Sequence, residues 1–144
     1  MDYYGFAIQR LKDYEMRKQS LVNIPQQIKT LELQFYSIKS GEIDGMPKGN
    51  GGKSDDMLIY NIAKRDELNF NLEIAQREVD VTERGLNSLS DDERLILECF
   101  YISRPYNHIQ RLMDKLHVSK SELFRRKDAA LRKFTMSLYG LIEI

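Results

Sequence analysis

The stretch LSDDERLILECFYISRPYNHIQRLMDKLHVSKSELFRRKDAALRKF, residues 89–134, decides the fold. It opens on Ser90-Asp91-Asp92-Glu93, a capping box in which a Ser hydroxyl and a Glu carboxylate each satisfy an orphan amide at a helix start. The helix so begun carries Leu95, Ile96, Leu97, Cys99, Phe100 and Tyr101, and Arg104-Pro105 ends it because proline cannot continue a helical hydrogen-bond ladder. A second short helix, about Tyr106 to Leu116, puts Ile109, Leu112, Met113 and Leu116 on one face. After His117-Val118 a second box, Ser119-Lys120-Ser121-Glu122, starts a longer helix through Ala130, Leu131, Phe134 and Leu138. Leu89 to Leu138 is therefore expected to form three helices and no strand.

A short helix, a tight turn with an inward Val and a longer helix with a Ser cap and a basic face have the form of a helix-turn-helix. In that geometry Leu123, Ala130, Leu131 and Phe134 face inward, while Lys120, Ser121, Phe124, Arg125 and Asp128 face out. The charge distribution agrees. The whole chain is neutral, yet residues 104–133 hold nine basic side chains against Asp114, Glu122 and Asp128. Such a local surplus suits a phosphate backbone. The expected DNA contacts are Lys120, Ser121, Phe124, Arg125, Arg126 and Lys127, joined by Arg104 and Asn107 ahead of the second helix. The plain alternative is a solvated helix face, with Arg125, Arg126 and Lys127 paired to Glu122 or Asp128, and with Phe124 packed on the core.

Working outward toward the amino terminus, Tyr4, Ala7, Leu11, Tyr14, Leu21, Ile24, Ile28, Leu31, Phe35 and Ile38 recur at spacings of three, four or seven, a helical seam. Pro25 interrupts it, which predicts two helices, the second capped by Asn23, or one sharp kink. Residues 40–54, SGEIDGMPKGNGGKS, with five glycines and a proline, read as a loop. Helix is expected to resume with Ser54 as cap and Asp55 and Asp56 in its first turn. Leu58, Ile62, Arg65, Leu68, Leu72, Ala75, Val79, Thr82, Leu86 and Leu89 then follow a four-and-three rhythm, with Arg65 and Thr82 as polar register markers. The expected class is all-α: residues 1–87 form a helical hairpin arm serving oligomerisation, and residues 88–144 form the helix-turn-helix domain. Because a two-helix arm has little core of its own, a homo-oligomer is expected, most simply a dimer.

Several functions are set aside. Cys99 is the only cysteine, so no intramolecular disulfide or cysteine-rich zinc cluster forms, and a cytoplasmic setting is expected. His108 and His117 lack the spacing and companions of a metal site. The start, Met1 to Gln19, is studded with charge, so neither secretion nor membrane insertion is expected. The Asp and Glu groups follow serines at helix starts and read as caps, not as acid/base pairs. The glycine loop fails as a phosphate-binding loop, since Pro47 stands where the first glycine before Gly52-Lys53-Ser54 is needed. No enzymatic activity, cofactor or metal is expected.

The run LSDDERLILECFYI followed by IQRLMDKLHVSKSELFRRKDAALRKF resembles region four of bacterial sigma factors, in its "L-x-x-x-E-R" helix, the Val before a Ser cap, and the closing Ala130, Leu131, Lys133 and Phe134. Two positions depart from that pattern: His117 where a turn glycine is usual, and Arg126 where an aliphatic residue is usual. The whole chain resembles the ArpU-type phage transcriptional regulators, through its helical amino-terminal region, the Gly45-to-Gly49 "G-M-P-K-G" loop leading to Ser54-Asp55, and the Ser119-to-Phe134 end. The resemblance implies a double-stranded DNA partner and control of phage late or packaging genes in a bacterial host. A sigma-like adaptor that binds RNA polymerase or another protein, and a small packaging subunit that recognises DNA, are the alternatives.

Overall fold

The structure is a computed structural model that describes residues 1–41 and 51–144. The G-M-P-K-G motif and most of the expected loop lie outside the described residues. The class is all-α, with no strand among the described residues: α1 spans Tyr3–Ser40, α2 Gly51–Asn87, α3 Asp91–Leu97, α4 His108–Leu116 and α5 Lys120–Tyr139. A π-helical turn, Glu98–Ile102, continues α3. No helix among the described residues is long and apolar enough to cross a membrane.

In α1 the structure decides between two alternatives, and in α2 one expectation is corrected. Pro25 lies inside one helix, α1, and does not divide it. The missing amide costs one ladder bond, and the long helical flanks on both sides carry the chain through it. Asp2 caps the start, its carboxylate accepting from the Gly5 amide at 2.9 Å, and Gly41 closes the end with a φ of 75° that glycine adopts without strain. In α2, Ser54 is not a cap, because the helix already begins at Gly51 and Asp55 and Asp56 fall beyond its first turn.

The chain divides into two compact units, one of Met1–Arg17 with Arg77–Ile144 and one of Lys18–Gln76. In the first, Ala7 and Leu11 of α1, Val79 and Leu86 of α2, Ile96 and Leu97 of α3, Leu112 of α4, and Leu123, Ala130, Leu131 and Phe134 of α5 are all buried. The inward stripe read from the sequence of α5 is therefore the observed one. Gly85 of α2 meets Phe134 so closely that a Cβ there would lie 2.7 Å from the ring. Tyr14 donates to Glu83 at 2.7 Å; burial first, and then this bond, push its pKa up to about 12. Arg17 pairs with Glu78 at 2.6 Å.

The second unit, the arm, is built differently. Among its described residues only Asn61, Leu68 and Ala75 are buried. Asn61 takes the inward place expected for its neighbour Ile62, which is exposed. An amide is tolerated there because both of its ends are satisfied. Its Nδ2 donates to the Leu31 carbonyl at 2.7 Å and its Oδ1 accepts from Arg65 Nε at 2.9 Å, while the Arg65 guanidinium lies 4.9 Å from the centre of the Phe35 ring.

Candidate nucleic-acid interface

The site is braced by α3. The Ser90 capping box is complete: Ser90 Oγ accepts from the Glu93 amide at 3.2 Å, and Glu93 Oε1 accepts from the Ser90 amide at 2.9 Å. That backbone bond is the main reason the Glu93 carboxyl sits below its ordinary pKa, and Lys133 of α5 adds to it from 3.2 Å. Past Leu97 the winding widens, and the Ser103 amide reaches back to the Glu98 carbonyl at 2.8 Å. The wide turn carries Phe100, an aromatic hub whose ring meets His108 edge-on at 5.2 Å and Phe124 at 5.6 Å.

Helix α4 is bounded by two left-handed residues, Asn107 with φ 54° and His117 with φ 56°. Asparagine accepts that conformation comparatively well. His117 accepts it as the C-cap, where its amide bonds the Met113 carbonyl, so the usual turn glycine is replaced at a conformational cost. Ile96, Leu112 and Leu123 form the core beneath this turn, with Val118 packed against it. Ser119 caps α5 by accepting from the Glu122 amide at 3.2 Å. The reciprocal half of the expected second box is not formed. The Glu122 carboxylate turns forward instead and takes Arg125 at 2.5 Å and Arg126 at 3.3 Å.

The expected contact residues thus fall into three groups. Lys120, Ser121, Arg125 and Arg126 are exposed on α5, with the Arg125 side chain 78% accessible. Lys120 and Asn107 line one hollow of about 500 Å³ with Gln110 and Met113, where the starts of α4 and α5 meet. Phe124 and Lys127 turn toward the hub. The Lys127 side chain is 18% accessible, bonds Asp128 at 2.8 Å, and holds its ammonium 5.8 Å and 5.6 Å from the Phe100 and Phe124 ring centres. Burial lowers its pKa, but the Asp128 bond and Tyr101 outweigh this and leave it raised. Arg104 is exposed, and its charge adds to burial in holding the His108 imidazole below its ordinary pKa.

The charge pairing that the sequence offered as the plain alternative is formed, with Glu122 clamping both arginines. The signal was present as Glu at three and four residues before Arg, the spacing at which helix side chains meet. Its carboxyl is held below its ordinary pKa by the bonds from Arg125 and then Arg126.

These features define an all-α protein with a long amino-terminal helix pair and a compact carboxy-terminal set of three helices. The chain belongs to the family described as "Protein of unknown function (DUF1492)", which matches residues 37–135. No curated protein and no solved structure matches the chain.

Proposed function

We propose that the protein is a sequence-specific DNA-binding regulator whose α4 and α5 act as a helix-turn-helix. The observation that carries this reading is the start of α5. It is fixed by the Ser119 cap, rests on the Leu112 and Leu123 core, and offers Lys120, Ser121 and Arg125 to solvent within two turns. A helix so held enters the major groove end first, where a guanidinium fork pairs with guanine and an ammonium meets phosphate. The ArpU-like pattern supports a role in phage or prophage gene control inside a bacterial host.

Binding measured against salt on specific and random duplexes tests the reading. Arg125→Ala should cost ~1–3 kcal/mol and relax preference at one base pair, whereas Lys120→Ala should weaken all sequences alike and lower the salt slope by about one. Equal binding by wild type and both variants, with folding intact, would remove DNA from the proposal. One observation favours a second reading, the adaptor: Glu122 and Asp128 already occupy the charges of Arg125, Arg126 and Lys127. An adaptor would bind RNA polymerase or another protein through the same face and show no steep salt-dependent affinity for DNA.

A further inference from the structure

The arm carries a second apolar stripe on each helix, on the side away from its own core. Val22, Leu33 and Tyr36 of α1 share one stripe, opposite Leu31 and Phe35. Ile59, Ile62 and Phe70 of α2 share another, opposite Asn61 and Leu68. All six are between 44% and 66% exposed. The charges along the two stripes are opposite. Lys29 interrupts the first between Val22 and Leu33, and Asp66 interrupts the second between Ile62 and Phe70, with Asp55 and Glu73 at its ends. Neither Lys29 nor Asp66 has an ion-pair partner among the described residues.

A stripe docked on its own copy would bring like charges together, lysine facing lysine or aspartate facing aspartate. A stripe docked on the other kind matches apolar residues and neutralises charge. We propose that the outer face of α1 in the arm docks on the outer face of α2 in a second copy of this chain, so that copies associate head to tail. Such a contact is heterologous: each copy keeps one unused face of each kind, and association continues until it closes into a ring or runs on as a filament. The two stripes together present on the order of 700 Å², below the usual ~1,200–2,000 Å² of a stable pairwise interface. Assembly therefore rises with concentration and gains from closure, where every copy makes two contacts.

The decisive experiment uses the full chain with Leu33→Asp, which blocks the α1 face, and Phe70→Asp, which blocks the α2 face. Molar mass by light scattering across concentration should exceed a dimer for the wild type and equal a monomer for each variant alone. An equimolar mixture of the two variants should give a one-to-one heterodimer, since one intact face of each kind remains. A monomeric wild type overturns the proposal, as does either variant forming homodimers alone, or a mixture that stays monomeric while both variants keep wild-type helicity. If an aspartate variant loses helicity, the charge exchange decides instead. Lys29→Glu and Asp66→Lys should each weaken association about three- to tenfold, and the double variant should restore it. No restoration overturns the pairing. The helix-turn-helix residues are untouched throughout, so this result is independent of DNA binding.

Discussion

The two units put their helices to different use. The first unit closes a core around Phe134, Leu123, Leu97 and Ile96, each at most 1% exposed. The arm buries one leucine, one alanine and an asparagine, and keeps Leu33, Tyr36, Ile59, Tyr60 and Phe70 in solvent. Burial of apolar area is the main source of folding stability. The first unit thus has the buried core that holds a surface in fixed geometry, and the second leaves most of its large apolar side chains at least partly in water. Hydrogen exchange, which reads local opening in each unit separately, is the natural way to test this division.

The largest effect is expected from Phe134→Ala, which should cost ~3–5 kcal/mol and release amides throughout the first unit, because the buried ring leaves a cavity that α2 and α5 fill only partly. Leu68→Ala in the arm should cost about 2 kcal/mol, at the low end for such a change, since a two-helix layer collapses readily. An equal loss in both would break the comparison. Next comes Gly85→Ala. Helix propensity favours alanine by up to ~1 kcal/mol, but a Cβ against the immobile Phe134 ring is overpacking. The expected net outcome in chemical denaturation is a loss of about 1–2 kcal/mol.

Ser90→Ala should remove about 1 kcal/mol with the loss of the cap. The acid limb of stability belongs to the Glu93 carboxylate, whose main bond is to the residue-90 amide that alanine retains. The folded state lowers the pKa of Glu93, so its contribution is full above the unfolded glutamate range and is lost as pH falls through the depressed folded value. Acid unfolding curves of wild type and Glu93→Gln should therefore converge at low pH, whereas the cap lost in Ser90→Ala separates its curve from wild type at every pH. The smallest effect is His117→Gly, expected to stabilise by about 0.5 kcal/mol, because relief of the left-handed backbone slightly exceeds the added freedom of the unfolded chain. A loss of stability would show that the His117 side chain contributes contacts of its own.

What was legible in the sequence follows the range of the forces involved. The caps at Ser90 and Ser119 and the inward stripe of α5 are local signals, carried by spacing alone, and they stand in the structure. The exchange of Ile62 for Asn61 is not local: a buried amide is acceptable only because the Leu31 carbonyl and Arg65 meet it, and neither partner is visible in a period of three and four. Lys127 was expected among the DNA contacts as part of the basic cluster, but its long stem lets the ammonium fold back over Phe100 and Phe124. At Pro25 the sequence left open a break or a kink within one helix, and the break is the alternative that falls, since a single lost hydrogen bond does not end a helix flanked by good helix formers. The outer stripes of the arm were hidden by the stronger inner ones.

The π turn at Glu98–Ile102 holds one residue more than an α-helical turn would. It is in effect an insertion kept inside a helix. Removing one residue there would restore ordinary winding with little net rotation of the following chain relative to α3, because the wide turn absorbs its extra residue within a single revolution. Phe100, and with it the ring contacts to His108 and Phe124, would leave its present bearing. The loss would thus fall on the seat of the aromatic hub and not on the phase of the helix itself.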